Sequence, residues 1–140
     1  MKNVRIISLA TGSFNVLVFP FSPMGKSILR EKSYAFAIRI VKFSKLLQHE
    51  KKEFILSKQL IRSGTAIGAL IREAEFGQSK ADFANKMSIA LKEANETEYW
   101  LLLLNDAEYL EKDLFENLRS ECKELIAMLV ATVKTVKNEK

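Results

Sequence analysis

The carboxylate cluster Glu93, Glu96 and Glu98, together with a single histidine and a single cysteine, is the first place to look for catalysis or metal binding in this 140-residue chain. Carboxylates such as Glu93, Glu96 and Glu98 can hold two metal ions inside a helical bundle. Such sites also need Glu-x-x-His pairs on facing helices, and the only histidine, His49, falls at a predicted helix end. We predict no metal and expect ion pairs between helices instead, formed by Arg62, Arg72, Lys92, Glu93 and Glu96.

A nucleophile and a phosphate-binding loop are the other chemical signals to weigh. Cys122 falls on an apolar helical stripe, which predicts a buried and inert thiol. The run Gly25-Lys26-Ser27 resembles the end of a phosphate-binding loop, but Pro20 occupies the position where that loop requires its first glycine. With no nucleophile-base pair, metal cluster or phosphate loop in the sequence, we predict neither enzymatic activity nor a cofactor.

Charge is distributed unevenly along the chain, although the net charge is only +5. Residues 24–92 carry 14 Lys and Arg against 6 Asp and Glu, whereas residues 93–140 carry 6 against 11. A basic first half suggests a surface that faces a polyanion. The alternative is that the two halves attract each other within or between subunits.

Helical periodicity begins near residue 26 and continues to the end of the chain. Four amphipathic segments have apolar residues at spacings of three and four. Ser79 with Asp82, and Asp113 with Glu116, predict the starts of the third and fourth helices, and Gly77 predicts the end of the second. The predicted core is Phe36, Ile40, Phe43, Leu47, Leu56, Leu60, Ile67, Ile71, Ala74, Phe83, Met87, Ala90, Ala94, Leu101, Leu104, Phe115, Leu118, Cys122, Leu125, Leu129 and Val136.

Four such helices with short connections predict an all-α domain, an antiparallel up-down-up-down four-helix bundle over residues 24–140. Residues 1–23 differ from the rest, with an apolar stretch that Thr11, Gly12, Ser13 and Asn15 interrupt. The stretch is too broken for a membrane span and lacks a signal-peptide cleavage site. We expect a poorly structured extension, or one upstream of the natural start at Met24.

The predicted bundle has more apolar surface than one core can bury. Tyr34, Ala37, Ile38 and Val41 lie roughly opposite the core stripe of the first helix, and the third helix contains the run WLLLL at 100–104. A helix that is apolar on two faces must bury both, which predicts homo-oligomer formation. The alternative is a thick core with some overhang.

Small residues recur in the second helix, where Gly64 and Gly68 each cost roughly 1 kcal/mol relative to alanine. They allow close approach of a neighbouring backbone or of an aromatic side chain. Phe36, Phe43, Phe83 and Trp100 are the candidates for that neighbour.

Basic side chains form two ridges on the predicted helices. Lys32, Arg39 and Lys42 follow one flank of the first helix, and Lys58, Arg62 and Arg72 follow the outer face of the second. Such ridges can contact nucleic-acid phosphates with little sequence readout. The alternative is that these cations are solvated or pair with the acidic fourth helix.

The run RSGTAIGALIREAEFGQSKADFANKMSIALKEANETEYWL, at residues 62–101, resembles the signature of the bacterial four helix bundle protein family. These proteins are also called 23S ribosomal RNA intervening-sequence proteins. MGKSILREKSYAFAIRIVKF, from Met24, resembles the usual beginning of such proteins. The matching positions are Arg62, Ser63, Gly64, Gly68, Arg72, Glu73, Ala74, Lys92, Glu93, Glu96 and Trp100.

The resemblance implies a bundle that assembles as a ring-like homopentamer, with no established enzymatic activity. A more distant similarity, to the accessory proteins of diversity-generating retroelements, implies a reverse transcriptase as a partner. Leu70 and Leu102 depart from the family, whose members often have asparagine and glutamate there, and both enlarge the apolar exterior. The residues expected in helix packing or subunit contact are Tyr34, Ile38, Val41, Gly64, Gly68, Leu70, Trp100 and Leu102.

The sequence thus predicts a cytoplasmic, non-catalytic oligomer that binds structured RNA or DNA through Lys32, Arg39, Lys42, Lys58, Arg62 and Arg72. The alternative is a structural or adaptor protein that binds another protein, such as a reverse transcriptase. Neither function involves a membrane.

Overall fold

The computed structural model describes residues 23–138, with side chains from Ile28 onward. Four helices make up nearly all of this range: α1 (Pro23–Glu50), α2 (Leu56–Glu75), α3 (Lys80–Asp106) and α4 (Lys112–Asn138). The described residues contain no strand, so the predicted all-helical bundle of four helices is confirmed. The predicted extension, residues 1–23, lies outside the described range except for Pro23, at which α1 begins.

The core is built from the stripes that the helical periodicity predicts. Every predicted core residue is buried except Leu56, which is partly buried and packs against the core. Leu29 and Val133, which the sequence did not single out, are also buried. Within the described residues, no helix is long and apolar enough to cross a membrane.

Neighbouring helices pack in chain order, α1 against α2, α2 against α3 and α3 against α4, while α1 meets α4 over a smaller region. The start of α1 contacts the end of α2, where Arg30 Nε lies 3.2 Å from Glu75 Oε1. The end of α1 contacts the start of α2, where Gln48 Nε2 donates to Ser57 Oγ at 3.0 Å. These contacts bring the last turn of α1 and the first turn of α2 to the same end of the bundle.

The helix starts differ in how well the sequence predicted them. Ser79 precedes α3 and accepts a hydrogen bond from the Asp82 N–H at 3.0 Å, so the predicted cap is confirmed. The predicted cap at Asp113 is wrong, because α4 begins at Lys112 and Asp113 lies in its first turn. An acidic residue is favourable in either place, since both face the positive end of the helix dipole, and the pattern therefore does not fix the register.

The two glycines of α2 face α1. A Cβ added to Gly64 would lie 2.9 Å from Ile40 Cγ2, and one added to Gly68 would lie 3.3 Å from Ser33 Oγ. Close approach of a backbone was one of the two expectations, and the Ser33 backbone beside Gly68 confirms it; the neighbour of Gly64 is the Ile40 side chain, and no predicted aromatic ring is among the nearest contacts of either glycine. The glycines therefore let two backbones of one chain come together, which offsets their low helix propensity.

We predict that Gly64→Ala lowers the free energy of unfolding by about 1 kcal/mol, because overpacking against the buried Ile40 outweighs the gain in helix propensity. Gly68→Ala is the matched control, since its nearest contacts leave more room and the cost should be smaller. Urea unfolding followed by circular dichroism measures both. A Gly64→Ala protein at least as stable as the Gly68→Ala protein would contradict the close approach.

Cys122 lies in the core between α3 and α4. Its Sγ donates to the Ala94 carbonyl oxygen at 3.3 Å, and its side chain is fully buried. Burial, with a smaller contribution from the negative charge of Glu98, raises the pKa of the Cys122 thiol to about 12. The thiol is therefore protonated and shielded at neutral pH, as the sequence predicted.

We expect iodoacetamide to alkylate Cys122 in the native protein at pH 8 at least about 100-fold more slowly than in guanidinium, because the thiolate is the reactive form. Mass spectrometry of timed samples measures both rates. Equal rates in the two conditions would show that the thiol is accessible in the folded state.

Candidate nucleic-acid interface

Three of the six cations predicted to bind nucleic acid are engaged in ion pairs between helices. Lys32 Nζ lies 3.2 Å from Glu124 Oε2, and Arg39 pairs with Glu121, so both cations of α1 meet carboxylates of α4. The acidic second half of the chain thus neutralises part of the basic first half. For these two residues, the structure agrees with the alternative interpretation of the charge asymmetry.

Arg62 is the most fully engaged cation on α2. Its Nη1 donates to Glu93 Oε1 at 3.2 Å, its Nη2 donates to Glu96, and its Nε donates to Gln59 Oε1 at 3.3 Å. Trp100 Nε1 donates to Glu96 Oε2 at 2.9 Å, which joins the indole to the same network. Three of the five guanidinium N–H groups therefore have partners, and two of these bonds hold α2 against α3.

Arg72 and Lys92 were expected in that network, but both are exposed and neither makes an ion pair with another described residue. Glu73, beside Arg72, pairs instead with Lys86 of α3 at 3.1 Å. The hydrogen bond and the charge of Glu73 raise the pKa of Lys86. On α4, Arg119 Nε makes an equivalent contact with Glu98 at 3.0 Å.

The other three predicted cations, Lys42, Lys58 and Arg72, are exposed and have no ion pair within residues 28–138. Lys42 and Lys58 lie toward the end of the bundle where α1 passes into α2. Three more exposed lysines lie there, also without an ion pair in the described range. We call the resulting group the junction cations: Lys42, Lys45, Lys51, Lys52 and Lys58.

The ridge prediction missed Lys45, Lys51 and Lys52. Lys51 and Lys52 lie in the connection between the helices, where helical periodicity does not predict which way a side chain points. The available signal was composition, because residues 42–58 contain five lysines against the two acidic residues Glu50 and Glu53. Five lysines against two glutamates leave this stretch with a formal charge of +3.

Glu53 is buried because it caps α2. Its Oε2 accepts from the N–H groups of Ile55 and Leu56 at 3.1 and 2.8 Å, and its Oε1 accepts from that of Ser57 at 2.7 Å. These are backbone donors that the first turn of a helix leaves without partners. The Ser57 hydroxyl donates back to the Glu53 carbonyl oxygen at 2.9 Å, so hydrogen bonds in both directions join Glu53 to the first turn of α2.

The residues predicted for subunit contact divide into two groups. Leu70, Trp100 and Leu102 are partly buried and pack against the core of their own chain. Val41 is also partly buried. Tyr34 and Ile38 are exposed, at 61% and 40% of their surface. Further exposed apolar side chains include Leu46 on α1 and Tyr99 and Leu103 on α3.

Fold and surface define a helical bundle protein with a basic end, and sequence comparison places the chain in a family. It belongs to the 23S rRNA-intervening sequence protein family, whose model matches residues 26–131. The chain is also similar to a protein of unknown function from the S23 ribosomal protein family of Bacteroides thetaiotaomicron, solved by crystallography. The two are 51% identical over 79% of this chain and 99% of that chain, with a TM-score of 0.78. Comparison with curated proteins finds no match.

Arg62 and Lys58 should respond differently to substitution, because one is paired and the other is free. We predict that Arg62→Gln lowers the free energy of unfolding by about 1 kcal/mol, since it leaves Glu93 and Glu96 close together without a cation. Lys58→Gln should change it by less than about 0.5 kcal/mol. Urea unfolding measures both, and equal effects would contradict the structural role of Arg62.

Proposed function

We propose that this chain is a non-catalytic, self-associating bundle of the cytoplasm that binds structured RNA or DNA through its unpaired surface cations. The observation that carries the proposal is the group of junction cations, which are exposed at one end of the bundle and make no ion pair with any residue that the structure describes. Chains of this family take their name from an insertion in ribosomal RNA, which makes RNA the first ligand to test.

Cations without protein partners are the ones suited to phosphate binding. A lysine that already pairs with a carboxylate must break that pair before it contacts a phosphate, and the gain is then small. An unpaired lysine displaces only water and condensed counterions, and counterion release drives the association. The junction cations are therefore a better interface than the two predicted ridges, three of whose members are paired.

Self-association accounts for the apolar side chains that the bundle leaves uncovered. Tyr34 and Ile38 lie on the side of α1 away from its core stripe, and a second copy would remove them from water. The proposal also includes the antiparallel order that short connections between helices favour, and the ring-like homopentamer that the family resemblance implies. Light scattering of the purified protein measures the number of subunits.

An adaptor protein that binds another protein, such as a reverse transcriptase, is the second candidate. The same exposed apolar residues favour it, because such a partner could cover Tyr34 and Ile38 in place of a sister copy. The two candidates differ in their response to salt. Binding through an apolar surface depends weakly on ionic strength, whereas binding to a polyanion depends on it steeply.

We predict that the affinity for a structured RNA or a DNA duplex falls as salt rises, with a log–log slope near −0.9 per phosphate contacted on duplex DNA. Lys51→Gln combined with Lys52→Gln should reduce the magnitude of that slope by about 1.8, the share of two phosphate contacts. Fluorescence anisotropy of a labelled ligand over a range of salt concentrations gives the slope.

The matched control is Lys123→Gln combined with Lys134→Gln, which removes the same charge from exposed lysines of α4. This variant should leave the slope close to that of the unaltered protein. Equal slopes for the two double variants would show that net charge, and not the junction, drives binding. No binding at low salt by an intact oligomer would remove the proposed function.

A further inference from the structure

Phe54 is a half-exposed aromatic side chain among the junction cations. It follows Lys51 and Lys52 in the chain and precedes Lys58 by four residues, and 50% of its surface is exposed. Trp100, by contrast, is partly buried and packs against the core. Single exposed apolar side chains are common on protein surfaces, so it is the position of this ring among the junction cations that points to a ligand.

The backbone that carries Phe54 is held in place from both sides. The N–H groups of Lys51 and Glu53 both donate to the Leu47 carbonyl oxygen, at 3.0 and 3.2 Å. Lys52 has a φ of 54°, the left-handed conformation that turns the chain from α1 toward α2. The Glu53 cap holds the chain on the other side of Phe54. Because this backbone is already ordered, the protein loses little conformational entropy when a ligand binds to Phe54.

The first turn of α2 cannot take a phosphate itself. A helix N-terminus often binds anions through its free N–H groups. Here the N–H groups of Ile55, Leu56 and Ser57 already donate to the Glu53 carboxylate. Phosphates at the junction are therefore expected to bind to lysine ammonium groups. Lys51 and Lys52 precede Phe54 in the chain, and Lys58 follows it.

From this arrangement we infer that the junction binds an unpaired segment of a nucleic-acid strand, with one base stacked on Phe54 and the adjacent phosphates on Lys51, Lys52 and Lys58. The inference rests on the proposed function and specifies its ligand. An aromatic side chain can stack on a base only if the base is not already stacked within a duplex.

The dimensions of the junction fit this ligand. Three residues of extended chain span at most about 11 Å, so the backbone of Lys51 lies within that distance of the backbone of Phe54. Lys58 lies in the first turn of α2, on the other side of Phe54 in the chain. A lysine side chain is long enough to reach phosphates on either side of a stacked nucleotide, and it contacts them as a point charge without sequence preference.

The test compares three fluorescein-labelled probes of about 12 nucleotides, the size of one single-strand site: oligouridylate RNA, oligothymidylate DNA and a DNA duplex. The variants of the full chain are Phe54→Leu, which keeps an apolar side chain but no ring, and Phe54→Tyr, which keeps the ring. Phe76→Leu is the matched control, because Phe76 is 79% exposed just after the end of α2, far from the junction. Anisotropy gives each dissociation constant, and light scattering gives the mass of each variant.

The expected result is tighter binding to the single strands than to the duplex. Phe54→Leu should weaken single-strand binding roughly 5- to 150-fold, the range found when one stacked base loses its aromatic partner. Phe54→Tyr should bind the single strands within about threefold of the unaltered protein, and Phe76→Leu should bind them as the unaltered protein does. Relative affinity for the two single strands then shows whether the ligand is RNA or DNA.

Failure of the inference and failure of the proposed function give different results. If the protein binds nucleic acid and Phe54→Leu binds as tightly as the unaltered chain, stacking is wrong while polyanion binding stands. If the duplex binds more tightly than either single strand, the unpaired ligand is wrong. If no probe binds and Phe54→Leu lowers the oligomer mass, a second copy of the chain covers Phe54, and both proposals fall.

Discussion

The close approach of α1 and α2 is the contact on which the geometry of the basic end depends. Gly64 and Gly68 present no side chain to α1, so Ile40 and Ser33 lie directly against the α2 backbone. A short connection is enough to join two helices this close, and residues 51–55 make it. That connection needs a buried cap, and Glu53 supplies it, which leaves the neighbouring lysines and Phe54 outside.

Interhelical ion pairs decide which cations remain available. The carboxylates of α3 and α4 pair with Arg62, Lys32 and Arg39, at the sides of the bundle where helices run next to each other. At the junction no such carboxylate comes within pairing distance of the lysines in the described part of the chain. The basic surface that remains after this internal pairing is smaller and more localised than the distribution of charge along the chain suggests.

Much of the fold was predictable because it depends on short-range spacing. A period of 3.6 residues assigns each apolar side chain to a face, and the four stripes became the core almost without exception. The cap at Ser79 was predictable for the same reason, since donor and acceptor lie three residues apart. Asp113 shows where such prediction fails, because an acidic residue is favourable both as a cap and in the first turn of a helix.

The sequence by itself determined the number of helices, their inward faces, the buried inert thiol of Cys122 and the membership of a family. Only the tertiary structure decided that Arg62 pairs with both Glu93 and Glu96, that Gly64 faces Ile40, and that Glu53 caps α2 while Phe54 is exposed. The reason is physical. Periodicity specifies the direction of a side chain from its own helix axis, whereas pairing, close approach and exposure in a loop depend on which neighbour lies in that direction.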